Sequence, residues 1–182
     1  MEFMNSRPDI VRSNTQRWLL SHWDELRAAT LLPAWHGLKP DALAIPPDDL
    51  SLIQVVAANN DERFQIRFHG TRVASLYGRV SCVGKFLDEI LPASALPATL
   101  AIYCHVVAAR APVYTVTDLR DRAGRIVHYE RLLLPFCGSG SGVERILASL
   151  ETVSPEGEFD NDGLMTSPVR APAFALCTTI HY

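Results

Sequence analysis

The first regular pattern of hydrophobic and polar positions begins at Ser13. Ser13 and Gln16 have the spacing of a capping box, and Leu19, Trp23 and Leu26 recur at four and three residues. This spacing predicts a leader helix with one apolar stripe, flanked by Trp18 and Leu20 and ending near Thr30 ahead of Leu32-Pro33. Pro33 to Asp49 is rich in proline and reads as an ordered connector. Leu50 to Ala57 is nearly all apolar, as a central strand covered on both faces would be. After the polar turn at Asn59-Asn60-Asp61, Arg63 to His69 alternates strictly, with Phe64, Ile66 and Phe68 on one face and Arg63, Gln65, Arg67 and His69 on the other. Short helices are predicted over Thr71 to Tyr77, closed by Gly78, and over Lys85 to Ile90, with a longer one from Ser94 to Ala109. Leu96, Leu100, Tyr103 and Val107 mark the expected sheet-facing side of that long helix.

Three further strands follow, at Val113 to Leu119, Arg125 to Pro135 and Val143 to Leu150, joined by turns at Asp121 to Gly124 and Gly138 to Gly142. The expected fold class is α+β: a five-stranded antiparallel sheet with helices gathered on one face and a leader helix before it. The expected organisation is a leader helix and connector over 1–49, a core over 50–153, and a mobile acidic, proline-containing tail over 154–182.

Composition narrows the function classes. Of 182 residues 48% are hydrophobic and 20% charged, with a net charge of −3, which suits a globular domain and argues against a nucleic-acid binder. Cys82, Cys104, Cys137 and Cys177 have no metal-binding spacing and read as reduced thiols. Met1 to Asp9 holds no apolar signal segment, and no uninterrupted apolar run reaches about 18 residues. A cytoplasmic protein with no membrane partner is the expectation.

Several segments together resemble a known family. Arg63-Phe64-Gln65-Ile66-Arg67-Phe68-His69-Gly70-Thr71, Tyr77-Gly78-Arg79, Gly84-Lys85-Phe86-Leu87-Asp88-Glu89-Ile90-Leu91 and Gly124-Arg125 through Tyr129-Glu130-Arg131-Leu132-Leu133-Leu134-Pro135 are similar to successive signatures of a bacterial PAS subfamily found largely in alphaproteobacteria. The leader from Trp18 to Arg27 and the stretch from Leu32-Pro33 to Pro47 are similar to its start, so the resemblance spans about Gln16 to Val153. Proteins of that subfamily are short and generally carry no fused output domain. The resemblance implies a non-enzymatic sensory or interaction module acting in trans, for example on a histidine kinase. It implies no established catalytic residue.

PAS domains often hold a ligand between sheet and long helix. Haem would need an inward axial histidine, and His105, the nominee, falls opposite Leu96 and reads as a surface residue. His69 lies on the polar side of its alternating strand. A light-sensing flavin motif is missing at Cys82-Val83-Gly84-Lys85-Phe86-Leu87, which lacks the Asn and displaces the Phe-Leu pair. Haem- or flavin-binding sensing and a small enzyme with a PAS-like cavity stand as the alternatives, and the cofactor is unknown. Gly138 to Gly142 precedes a strand and lacks the Lys-Ser/Thr ending of a phosphate loop, while Asp88 and Glu89 point about 100° apart on a helix.

One feature stands out from this ordinary pattern. Glu130 and Arg131 interrupt an apolar strand, so one of the two must face the helix side, where it pairs with a counter-charge or anchors a ligand. Tyr103 and Tyr129 are expected to offer hydroxyls to the same space, and Phe68 and Phe86 to line it. The wide apolar arc of the leader helix predicts a two-fold homodimer.

Overall fold

A computed structural model describes residues 2–37, 47–58, 61–78, 81–166 and 173–182. Among these residues seven strands form one sheet: β1 (Met4–Ser6), β2 (Leu50–Ala58), β3 (Asp61–His69), β4 (Val113–Arg120), β5 (Ile126–Cys137), β6 (Val143–Val153) and β7 (Ala173–Ile180). Their order is β1-β7-β4-β5-β6-β2-β3. All neighbours are antiparallel except β1 and β7, which run parallel. Four α-helices accompany them: α1 (Asn14–Arg27), α2 (Thr71–Leu76), α3 (Leu87–Ile90) and α4 (Leu96–Ala109). The α+β class is as expected, and the five expected strands are β2 to β6.

The sheet extends further at the β4 edge than the sequence pattern suggests. β7 pairs with β4 from Ala173 opposite Asp118 to Thr179 opposite Val113, and Cys177 to Ile180 are buried. This stretch is therefore a strand rather than part of a mobile tail. Pro168 and Pro172, which suggested an interrupted segment, lie outside the described residues and precede the strand. The preceding turn is also docked: Leu164 and Met165 are buried, and the Met165 N–H donates to Leu76 O at 2.8 Å.

Ser13 caps α1 by accepting from the Gln16 N–H at 3.3 Å, and its hydroxyl also meets Glu151. The helix ends at Arg27 rather than near Thr30, because Ala28 turns to positive φ. Its buried face is Gln16, Leu19, Leu20 and Trp23, so Leu20 belongs to the stripe and not to its flank. Trp23 Nε1 donates to Pro135 O at 2.7 Å and Gln16 Nε2 to Ser149 O at 3.1 Å, fixing the helix across β5 and β6. The chain's own sheet covers most of the arc that suggested a second copy. Trp18 remains 39% exposed, stacked on His22.

The other face of the sheet carries α2, α3 and α4. The phase of α4 differs from the expectation: Thr99, Ile102, Tyr103 and Val106 are buried, whereas Leu96, Leu100 and Val107 pack only at the margin. Of the connector after α1, residues 38–46 lie outside the described residues, as do 59–60 of the expected turn before β3 and Arg79 of the motif after α2. Its first part, Pro33 to Gly37, straps the end of β5: the Cys137 N–H donates to Pro33 O at 3.0 Å and Trp35 meets Phe136 edge-on. β2 is second from the sheet edge, and its later half is only partly covered, so it is not a fully central strand.

Candidate functional site

β3 enters the site through an irregularity. Its pairing with β2 runs Leu52 to Phe68 and then Ile53 to Ile66, so Arg67 is an extra residue. One extra residue reverses which side chains face inward. Phe64 and Ile66 are buried, but Phe68 is turned outward and 42% exposed, and His69 turns in. The strict alternation of the sequence thus fails at its last two positions. His69 Nδ1 lies 3.0 Å from Gly70 O and Nε2 accepts the Cys82 N–H at 2.7 Å, the neutral tautomer with its proton on Nδ1. Glycine is required next to it: a Cβ at position 70 would overlap Pro47 O and the Asp48 backbone.

His69 lines a cavity of about 20 Å³ beneath α2 and α4, with Tyr77, Cys82, Tyr103 and Tyr129 among its other walls. This volume is about that needed to hold one water molecule. Phe86 is not at the cavity; it precedes α3 half-buried, under the Arg63 guanidinium at 3.7 Å, and Leu87 lines the cavity instead. The two acids of α3 also diverge, Asp88 pairing with Arg63 at 2.8 Å and Glu89 accepting the Phe86 N–H at 2.7 Å.

The sheet separates Glu130 from Arg131. Glu130 faces α1, where it accepts the Tyr114 hydroxyl at 2.6 Å and lies 3.6 Å from Arg12. Burial, then the bond to Glu130, pushes the Tyr114 hydroxyl far above its ordinary pKa. Arg131 points to the α4 side and is 2% exposed. Its guanidinium carbon lies 5.2 Å from the Tyr129 ring centre and 5.9 Å from that of Tyr103. Burial raises the Tyr103 pKa to about 12 against the opposing pull of Arg131, and burial likewise raises Tyr77. Tyr103 and Tyr77 therefore stand near the cation as protonated phenols at neutral pH.

No carboxylate pairs with Arg131 among the described residues. Its Nε has no hydrogen-bond partner, and neither do the Thr115 and Thr117 hydroxyls, whereas side-chain bonds join the guanidinium to Tyr103 and Tyr77 to Tyr129. The β4–β5 register sets Thr115 opposite Arg131 and Thr117 opposite Tyr129. Residues directly opposite share a face, so these orphaned groups form one patch under α4. Contact with aromatic rings offsets part of the desolvation of a buried guanidinium, but an uncompensated charge still costs several kcal/mol. Alternation along β5 showed that one of the adjacent charges faces α4; His69, Tyr77 and Cys82 escaped the sequence reading because the extra residue in β3 has no local signal.

A family model described as PAS domain matches residues 11–151. The chain belongs to the PAS domain family. No curated protein matches its sequence. PAS domains are sensory and interaction modules, and the match ends within β6, so β1 and β7 lie outside the matched part of this PAS domain. Among the described residues no helix is long and apolar enough to cross a membrane, and no group of three or more His, Cys, Asp or Glu could hold a metal ion.

Haem and flavin do not fit the cavity of this PAS domain: about 20 Å³ is far too small, and both nitrogens of its His69 are engaged by backbone groups. His105 is not a plain surface residue. It stacks on Phe3 at 3.7 Å and its Nε2 lies 2.8 Å from Thr179 Oγ1, which clips α4 to β7 away from the cavity.

Proposed function

We propose that this PAS domain is a non-enzymatic sensor of bacterial signal transduction that takes a small molecule between β5 and α4 and acts in trans on a signalling protein such as a histidine kinase. The observation that carries the reading is the polar character of this region: Tyr77, Tyr103 and Tyr129 line the cavity, and beside it the Nε of buried Arg131 has no partner. Folding generally satisfies or excludes such groups, so a buried guanidinium nitrogen without a partner beside a tyrosine-lined cavity supports a polar contact with a small molecule there. Occupancy would alter the seat of α4 and α2, both of which touch the cavity, and so reach the outer surface of the domain. A cytoplasmic location accords with this role.

Pairing of two copies through α1 is proposed only for the Trp18 face, since Leu19, Leu20 and Trp23 are already buried in the chain's own sheet. Native mass spectrometry of protein purified without denaturation tests the receptor reading. A small-molecule adduct that collisional activation removes is expected. Protein at its sequence mass only, with cavity amides unmoved by a metabolite library in NMR, would contradict it.

A further inference from the structure

We propose that α4 couples the cavity to β1, with His105 as the latch through which a change at the cavity loosens this edge of the sheet; the inference rests on the receptor reading above for what moves the helix. Tyr103 and His105 are two residues apart on α4, so they project about 200° apart and lie about 3 Å apart along its axis. Tyr103 lines the cavity, and its hydroxyl accepts a bond from the Arg131 guanidinium. His105 reaches the other way, its ring stacked on that of Phe3 at 3.7 Å and its Nε2 2.8 Å from Thr179 Oγ1. One helix thus grips the cavity wall with one side chain and the sheet edge with another. A rotation of α4 that parts Tyr103 from Arg131 also draws the imidazole off Phe3.

β1 is the element that yields. It ends the sheet, is three residues long, and pairs with β7 in parallel, the weaker geometry per residue. Met4 is exposed, whereas Phe3 packs against the core under the imidazole. Thr178 Oγ1 donates to Met4 O at 3.1 Å, and His181 Nε2 lies 3.0 Å from Asn5 Oδ1, but these contacts come from β7 and its end and move with the sheet. The Phe3 stack is therefore the contact by which α4 bears on β1. A short edge strand with little buried apolar surface opens before the central strands do. Both β1 and β7 lie outside residues 11–151, so the latch is an addition to the matched PAS core.

The test measures hydrogen exchange of the full chain by NMR in Tyr103→Phe, which keeps the ring and removes the hydroxyl that meets Arg131. Exchange of the β1 amides and of the His181 amide, which donates to Ser6 O at 3.0 Å, is expected to rise at least about fivefold relative to the β5 amides. Introduced into His105→Ala, Tyr103→Phe should add no further rise, because the latch is already absent. Coupling is reciprocal, so Phe3→Ala should shift the Tyr103 and Arg131 amide resonances, and His105→Ala should abolish that response. Should Tyr103→Phe fail to fold, the Phe3→Ala measurement decides. Exchange in β1 that rises no more than in β5, an effect undiminished without the imidazole, or cavity resonances indifferent to Phe3→Ala would each overturn the latch. The receptor reading would stand in each case, since none of these measurements involves a guest.

Discussion

Glu130 and Arg131 are adjacent in β5 and serve opposite faces of the sheet. Glu130 is satisfied under α1 by the Tyr114 hydroxyl and Arg12, whereas Arg131 stands under α4 among tyrosines with no counter-ion among the described residues. Two opposite charges one residue apart therefore do not neutralise each other, because the pleat directs them to separate compartments. The Glu130 carboxylate is paired on the α1 side, where Gln16 Oε1 and Ser149 Oγ are without partners, and on the α4 side the Arg131 Nε is without one.

The phase of α4 predicts a difference between two of its side chains. Ile102 is fully buried, and Ile102→Ala should cost about 2–5 kcal/mol; Leu100, at the margin, should lose less than half as much on truncation. Denaturant unfolding of the two variants reads this directly. A larger loss at Leu100 would restore the phase expected from the sequence.

Alkaline stability depends on Tyr103. Its folded pKa of about 12 lies above the ordinary value of 10.0, so the protein and the unfolded chain are equally protonated below pH 10, and the unfolded chain ionises first above it. The stability is present in full below pH 10 and is lost as pH rises toward 12, by roughly 3 kcal/mol. Tyr103→Phe should flatten this limb of the stability curve. An unchanged limb would place the alkaline sensitivity in other groups.

Acid should loosen the β7 edge. Burial lowers the His105 pKa below the ordinary 6.5, so the imidazole stacked on Phe3 and set against Thr179 is favoured in its neutral form. This contribution is present above pH 6.5 and fades as pH falls through the lowered folded value. Hydrogen exchange of β1 and β7 amides is expected to accelerate on acidification relative to β5, less so in His105→Gln. Uniform acceleration across the sheet would contradict a local latch.

Self-association through α1 should be weak, since Trp18 is its main exposed apolar anchor. In sedimentation equilibrium at about 50 μM the protein is expected to be largely monomeric, with a minor dimer that Trp18→Glu removes. A dimer indifferent to the substitution would put the interface on another surface.

The sequence disclosed what depends on local pattern. The Ser13 cap, the β2–β6 order and the split of Glu130 from Arg131 across a strand all follow from spacing over a few residues. What it concealed depends on tertiary context. The extra residue Arg67 in β3 exchanges Phe68 for His69 at the cavity, and nothing in an alternating strand announces such a step. α4 is apolar nearly all round, from Leu96 through Ile102 to Val107, so its pattern gives no direction for burial. β7 was hidden because it follows prolines and is stabilised by a partner strand distant in sequence, β4.

The stability of Arg131→Met in anion-poor buffer tests most directly whether the guanidinium awaits a partner. A cation already compensated by the protein costs about 3–5 kcal/mol to remove from its pair, whereas an unpaired one can be replaced by an apolar side chain at little cost or with a gain. Denaturant unfolding should therefore show Arg131→Met as stable as wild type, or more so. A loss of several kcal/mol would mean that the folded protein itself satisfies Arg131, and the site would then be structural rather than receptive.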